Sequence, residues 1–269
     1  MRFHKPVGIL LLWFPTAWAL WLAYHGTPPL GLILYFLLGT IFMRAAGCVM
    51  NDIADRHVDK HVKRTHMRPL TTGEVSLPEA FLLLVALLLG ALLIVIQLPI
   101  VCFYYALAAF FITILYPFCK RFFEAPQLIL GLAFSMGIPM AYAASGAIIN
   151  MAMVLLFLLN FAWIVSYDTM YAMVDREDDL RIGVKSTAIL FGSYDCFIIA
   201  LLQIFFHLLW LFIAFEEHFS GKFYIFWCLA AAILFYQQIL IRKQESAACF
   251  TAFFSNGVYG LLMWGALLS

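Results

Sequence analysis

Two stretches of this 269-residue chain gather ions against an apolar background. Positions 51–70 read NDIADRHVDKHVKRTHMRPL and hold three aspartates, five Lys/Arg and three histidines, whereas the whole chain is 65% hydrophobic and 12% charged. A second acidic stretch, SYDTMYAMVDREDDLRIGVKS, follows more than a hundred residues later. If the helix leading into the first stretch continues past the membrane, Asn51, Asp55 and Asp59 stand at i, i+4 and i+8, with Asp52 on the same side. In the second, Asp168, Tyr171, Asp175 and Asp179 follow i, i+3, i+7 and i+11 along one strip. Like charges at i, i+4 repel by about 0.2–0.5 kcal/mol per pair in water, and by more where water is scarce. Two such ladders call for a compensating cation.

Oxygen-only ligands of high charge point to Mg²⁺ rather than zinc or copper, and Mg²⁺ characteristically bridges carboxylates to phosphate oxygens. Basic residues stand just beyond each ladder: Lys63, Arg64 and Arg68 after the first, Arg181 and Lys185 after the second. Carboxylate, metal, phosphate and Lys/Arg together hold a pyrophosphate and stabilise its charge as it leaves. No P-loop is present, so nucleoside triphosphate hydrolysis has no support. Neutralisation by neighbouring Lys and Arg in a membrane-surface loop would account for Asp59 beside Lys60 and Lys63. It accounts poorly for Asp168 and Asp175 at the end of a long apolar helix, where an ionisable group is costly. His57 and His61 have zinc-like i, i+4 spacing but no second ligand pair.

The elements that position these residues are membrane helices. Mean hydropathy is +0.97, and continuous apolar runs of about 20 residues recur, each long enough to span a bilayer as a helix. The expected fold is all-α and polytopic, with nine transmembrane helices around a central cleft, at about 7–25, 29–50, 78–97, 99–118, 126–145, 148–173, 195–215, 223–241 and 247–268. The first run is too long and Trp-rich for a signal peptide and reads as a retained helix. Under this reading fourteen of the sixteen Lys/Arg fall on one side; Lys222 falls on the other and Arg44 lies inside a span. The positive-inside rule then puts the N-terminus and both acidic stretches in the cytoplasm. The six cysteines form no C-x-x-C pair and read as packing residues. The ladders begin 117 positions apart, as expected of a single domain, 1–269, built from two pseudo-repeated halves, roughly 1–125 and 126–269. The site is expected in a cleft between helices, open at the cytoplasmic surface.

The stretches RAAGCVMNDIADRHVDKHVKRTHMRPLTTG, YPFCKR and YDTMYAMVDREDDLRIGVKSTAILFG resemble the UbiA-type intramembrane prenyltransferases, most of all the 4-hydroxybenzoate polyprenyltransferases of ubiquinone biosynthesis. The likeness runs from KPVGILLLWFPTAWALW to YQQILI and ACFTAFF. It implies a cavity that opens sideways to lipid and Mg²⁺-dependent transfer of a polyprenyl group from its diphosphate to the ring of 4-hydroxybenzoate. It implies that Asn51, Asp55 and Asp59 hold one Mg²⁺–diphosphate contact and Asp175 and Asp179 the other, with Asp168 and Tyr171 lining the pocket. The short segment before the first span departs from the longer cytoplasmic extension of many members.

The residues and the resemblance converge on ionisation of the allylic C–O bond and attack by the ring carbon ortho to the phenol. Water must be excluded, and an aromatic face such as Tyr116 could stabilise the cation. The acceptor carboxylate needs an anchor: Arg44, two turns before Asn51, or Arg121 in YPFCKR. Arg44 could instead be paired with a ladder aspartate, and the base that takes the ring proton stays open. The expected partners are these two substrates and the lipid bilayer, with no nucleic acid. Without a visible transit peptide, a bacterial cytoplasmic membrane is favoured over a mitochondrial one. An ion-coupled transporter would place its carboxylates near the bilayer midplane, and a phosphatidyltransferase would carry a D-G-x-x-A-R lead that is missing here. Relatives that use other aromatic acceptors share the ladders and differ only in the acceptor pocket.

Overall fold

The computed structural model describes residues 6–269; Arg2 and Lys5, used above for orientation, lie outside them. Among the described residues there is no strand. The helices are α1 (Val7–Tyr24), α2 (Leu30–Ala54), a short α3 (Pro69–Thr72), α4 (Leu77–Val95), α5 (Ile100–Cys119), α6 (Pro126–Ser135), α7 (Gly137–Ser145), α8 (Met151–Ile182), a short α9 (Thr187–Phe191), α10 (Asp195–Glu216), α11 (Gly221–Ile241) and α12 (Ser246–Leu267). Nine of the described segments are long and apolar enough to cross a membrane, α6 with α7 and α9 with α10 each counting as one. This is a multi-pass membrane protein, and the expected spans are found with small shifts at their ends.

Local chemistry sets the helix ends. Ser76 and Glu79 form a reciprocal capping box at the start of α4, satisfying backbone donors that have no partner in the first turn. Asn150 caps α8 by accepting from the Met153 amide, and Gly183 ends α8 in the left-handed region at φ 74°. That turn lets the Val184 amide donate to the Asp179 carbonyl at 3.0 Å. At 32 residues, α8 is about 48 Å long. The hydrocarbon core is only about 30 Å thick, so the last turns of α8, which carry Asp175 and Asp179, extend beyond it.

α8 is also the centre of the bundle, packing against α1, α6, α7, α9, α10 and α12. Its Leu156, Leu159 and Trp163 are fully buried. Trp163 stacks obliquely on Trp18 of α1 at 5.1 Å between ring centroids and on Tyr259 of α12 at 5.6 Å. Lipid cannot satisfy the indole N–H, and Trp163 Nε1 donates to Asn256 Oδ1 at 2.8 Å. A Cβ at Gly260 would collide with the Phe14 ring, so this glycine sets how closely α12 approaches α1. Along α10, α11 and α12 the buried amides form a chain: Gln203 donates to Gln237 at 2.7 Å and Gln237 to Ser255 at 2.9 Å. The outer faces of α4 and α5 expose Leu82, Leu93, Ile100 and Phe111, as lipid contact requires.

Near the ladder end of the bundle, Arg176 of α8 pairs with the fully buried Asp195 of α10, and Gln244 Nε2 donates to the same carboxylate at 3.2 Å. Removing the cation would leave a buried charge without its partner, at a cost of roughly 3 kcal/mol. Arg176→Ala is therefore expected to lower the melting temperature of the detergent-solubilised protein, and adding Asp195→Asn to restore most of the loss. An unchanged melting temperature for Arg176→Ala would show that this pair does not hold α8 to α10.

Candidate active site

The regular part of α2 stops at Ala54, yet its first ladder persists. The Asp55 amide donates to the Asn51 carbonyl and the Asp59 amide to the Asp55 carbonyl, both at 2.8 Å. The i, i+4 spacing is therefore held by backbone hydrogen bonds after the helix proper has ended, and Asp59 opens a 3-10 turn to His61. The second ladder lies on unbroken α8. Asp59 and Asp168 are buried, while Asn51, Asp55, Asp175 and Asp179 are half-buried.

The loop after α2 crosses to the other ladder. Arg64 Nε donates to both oxygens of Asp175, at 2.9 and 3.1 Å, with Nη2 on the second oxygen as well. Its guanidinium carbon lies 4.7 Å from the Tyr171 ring centre. Burial works against the charge on Arg64, but the Asp175 hydrogen bonds prevail and hold the guanidinium above its ordinary range. The Lys63 amide donates to Asp178 at 2.9 Å, and Thr65 Oγ1 to the Asp59 carbonyl at 3.1 Å. Arg68 Nη1 bridges Asp59 at 2.6 Å and Asp52 at 3.0 Å. Burial pushes the Asp59 carboxyl above the usual carboxylate range, against the pull of Arg68.

The loop after α5 closes the site. Lys120 Nζ reaches Asp55 Oδ2 at 3.4 Å and stands 5.0 Å from the Tyr116 ring centre. Its carbonyl accepts from the Lys185 amide at 2.8 Å. Tyr116 is buried, and Asp168, Asp55, Tyr171 and Arg44 are near enough to act on its hydroxyl electrostatically. Arg121 Nη2 donates to the Ala54 carbonyl at 3.1 Å, so it caps the helix that carries the first ladder.

The structure thus brings both ladders, Arg64, Arg68, Tyr116 and Tyr171 into one site. Lys63 and Lys185 take part through their amides, and Arg181 reaches only Asp178, at 3.9 Å. Sequence reasoning missed Lys120 and Asp178 as participants, and put Asp52 on the ladder's side without giving it a role. Lys120 was legible as the residue one helical turn after Tyr116. His61 Nδ1 lies against the His57 carbonyl at 3.1 Å, and Arg56 Nε donates to His57 Nε2 at 3.0 Å, neither of which suits a zinc pair.

Among the described residues no three His, Cys, Asp or Glu side chains converge tightly enough to form a ready-made metal cage. The donor set nevertheless fits a divalent cation. Asp168 is buried and Asp179 half-buried, and neither carboxylate forms a side-chain hydrogen bond or ion pair among the described residues; carboxylates taken out of water in that state need a positive partner. The available donors are hard oxygens.

Beside the ladders, α1, α2, α4, α5, α6 and α7 enclose an apolar cavity of about 400 Å³ whose walls include Leu12, Phe36, Phe110 and Phe134. Among the described residues Arg44 is the only charged one in its lining. It makes no ion pair or hydrogen bond among the described residues, so no direct contact with a ladder aspartate is formed; its guanidinium carbon lies 6.0 Å from the Phe134 ring centre.

The Arg64–Asp175 bridge is expected to show coupling of about 0.5–3 kcal/mol in a double-mutant cycle of thermal stability with Arg64→Ala and Asp175→Ala. Strict additivity would mean the two ladders are not joined this way.

Comparison with known proteins agrees with this fold. The sequence profile of the UbiA prenyltransferase family matches residues 12–263. A 4-hydroxybenzoate octaprenyltransferase of Legionella pneumophila subsp. pneumophila (strain Philadelphia 1) is 62% identical over 267 residues, covering 99% of this chain and 95% of the relative. The apo structure of a UbiA homolog from Aeropyrum pernix K1 superposes with a TM-score of 0.84 at 19% identity, covering 100% of this chain and 98% of the other. A UbiA homolog from Archaeoglobus fulgidus, bound to GPP and Mg²⁺, superposes with a TM-score of 0.74 at 21% identity, covering 98% of each chain.

Proposed function

The chain belongs to the UbiA prenyltransferase family, and on that premise we propose that it moves a polyprenyl group from polyprenyl diphosphate to the ring carbon of 4-hydroxybenzoate ortho to the hydroxyl, releasing diphosphate. The observation that carries this reading is the crossing loop: Arg64, from the first acidic stretch, forks onto Asp175 of the second. A diphosphate placed there meets both ladders and three cations together.

We assign Asn51, Asp55 and Asp59 on one side, and Asp175 and Asp179 on the other, as the residues that hold Mg²⁺. When bound, Mg²⁺ supplies positive charge to the diphosphate oxygens and so favours their departure. Arg64, Arg68 and Lys120, which neutralise Asp175, Asp59 and Asp55, exchange those carboxylates for phosphate oxygens, with Lys63 and Lys185 behind them. Tyr171 supports the Arg64 plane. The allylic C–O bond breaks with its electron pair going to the leaving diphosphate, and the buried ring of Tyr116 faces the electron-poor prenyl carbon.

The acceptor ring then gives a π pair to form the C–C bond, and the proton on that ring carbon passes to a carboxylate, a role assigned to Asp168. The aromatic and aliphatic cavity walls keep out water that would otherwise capture the cation. Arg44, which forms no ion pair or hydrogen bond among the described residues, binds the acceptor carboxylate. Arg121 is occupied by the Ala54 carbonyl. The concentration of basic residues in the loops around the site supports a cytoplasmic-facing site in a bacterial inner membrane. The two ladders are equivalent parts of two pseudo-repeated halves, 1–125 and 126–269.

Asp55→Asn or Asp175→Asn is expected to reduce turnover by about a hundredfold or more in purified, Mg²⁺-replete protein that still elutes as a folded species; near-normal rates would contradict the assignment. Arg44→Ala should raise the KM for 4-hydroxybenzoate by about tenfold or more and leave the KM for the prenyl diphosphate close to its starting value. Arg121→Ala should not produce that selective rise. The reverse pattern would move the anchor to Arg121.

A further inference from the structure

The cavity face of α2 runs straight into the first acidic ladder. Phe36, Thr40, Met43, Arg44 and Gly47 line the apolar cavity, and at about 100° per residue they share one side of the helix with Asn51. Gly47 stands three residues after Arg44 and four before Asn51. At 1.5 Å per residue, Arg44 to Asn51 covers about 10 Å of helix. Small residues in membrane helices commonly let a neighbour come close. Gly90 and Gly131 do this: a Cβ on the first would stand 3.2 Å from the Phe42 ring, and on the second 2.9 Å from the Phe161 ring. Gly47 is different. It is half-buried, and a Cβ there would meet no atom of the described residues within 4 Å outside its own turn of helix. Glycine also weakens a helix interior relative to alanine. What this glycine provides is open space on the cavity side, between a cation and the first residue of the ladder. One edge of the Arg44 guanidinium packs beside Gly8 of α1; the third nitrogen, Nη1, points the other way and is the one left for a ligand.

We propose that Gly47 is a specificity-determining position of the acceptor pocket: the ring of the aromatic acid lies over its bare backbone, carboxylate toward Arg44 and hydroxyl toward Asn51. This rests on the assignment of Arg44 as the carboxylate anchor and adds the wall that places the ring. The two substituents of 4-hydroxybenzoate stand at opposite ends of the ring. A carboxylate at Arg44 therefore turns the hydroxyl, and the carbon ortho to it, toward the mouth where the diphosphate and its allylic carbon are held. A side chain at position 47 would occupy the ring's space and hold the reacting carbons apart, and a misplacement of about 1 Å can cost about a hundredfold in rate. Donor binding is spared, because both ladders grip the diphosphate. Gly47→Ala should fold at least as well as the parent, since alanine favours helix and meets open space.

The test is steady-state kinetics on the full-length protein in detergent micelles or proteoliposomes, with Gly47→Ala, Gly47→Leu and Arg44→Ala. The value of kcat/KM for 4-hydroxybenzoate is expected to fall about tenfold in Gly47→Ala and about a hundredfold or more in Gly47→Leu. The KM for the prenyl diphosphate, and the affinity for an unreactive prenyl thiodiphosphate with Mg²⁺, should stay at the parent's values in both. The melting temperature of Gly47→Ala should be unchanged or slightly higher. If Arg44→Ala raises the KM for the acid while both Gly47 variants handle the acid normally, the Gly47 inference fails and the Arg44 anchor stands. If Arg44→Ala leaves that KM unchanged, the anchor assignment fails, and the orientation proposed for the ring fails with it. An equal loss for the donor would overturn the proposal by showing that the prenyl tail, and not the acceptor ring, passes Gly47. A Gly47→Ala protein that does not fold would overturn it too, because the glycine would then be a packing residue.

Discussion

An ionised carboxylate at the end of an apolar helix costs several kcal/mol unless a cation meets it, and this chain places seven aspartates around one mouth. Most of the cross-bundle geometry there follows from meeting that cost. Arg64 answers Asp175, Arg68 answers Asp59 and Asp52, and Lys120 answers Asp55. In each case except Arg68 the cation comes from a loop remote in sequence, so compensation and assembly are the same event. The loops cannot wander, because moving one would strand a charge on a helix it does not belong to.

The same arrangement suits a leaving group that carries several negative charges. Cations that rest on carboxylates are already in place, already partly stripped of water, and free to change partner. Among the described residues the carboxylates of Asp168 and Asp179 form no direct ion pair, which leaves negative charge at the mouth for a cation to meet. Behind this polar mouth the bundle turns abruptly apolar, and among the described residues the Arg44 guanidinium alone brings charge to that region. Charge handling and water exclusion are thereby separated by little more than the two helical turns between Asn51 and Arg44.

Much of this was legible in the sequence, for identifiable reasons. Continuous apolar runs set the spans, because backbone in lipid has few options. The ladders could be read because helical spacing fixes which side chains share a face, and Asp175 with Asp179 on unbroken α8 needed nothing more. The first ladder was less secure, since its helix ends at Ala54 and only two further backbone hydrogen bonds keep Asp55 and Asp59 in register. Contacts between distant segments could not be read. The pairing of Lys120 with Asp55, of the Lys63 amide with Asp178, and of Arg176 with Asp195 depends on which loops meet in space. So does the Thr169–Thr187 hydroxyl contact at 2.7 Å, with Gln127 accepting from the Thr187 amide at 2.9 Å. No local periodicity encodes these contacts. That Arg44 forms no direct ion pair among the described residues was equally hidden, because an arginine inside a span looks the same in sequence whether paired or not.

The most direct measurement is an experimental structure of the protein with an unreactive prenyl thiodiphosphate and Mg²⁺. Both acidic rows should be found on the same diphosphate group, with Arg64, Arg68 or Lys120 moved from carboxylate onto phosphate oxygen. A diphosphate held by one row alone, with Arg64 still forked onto Asp175, would contradict the account.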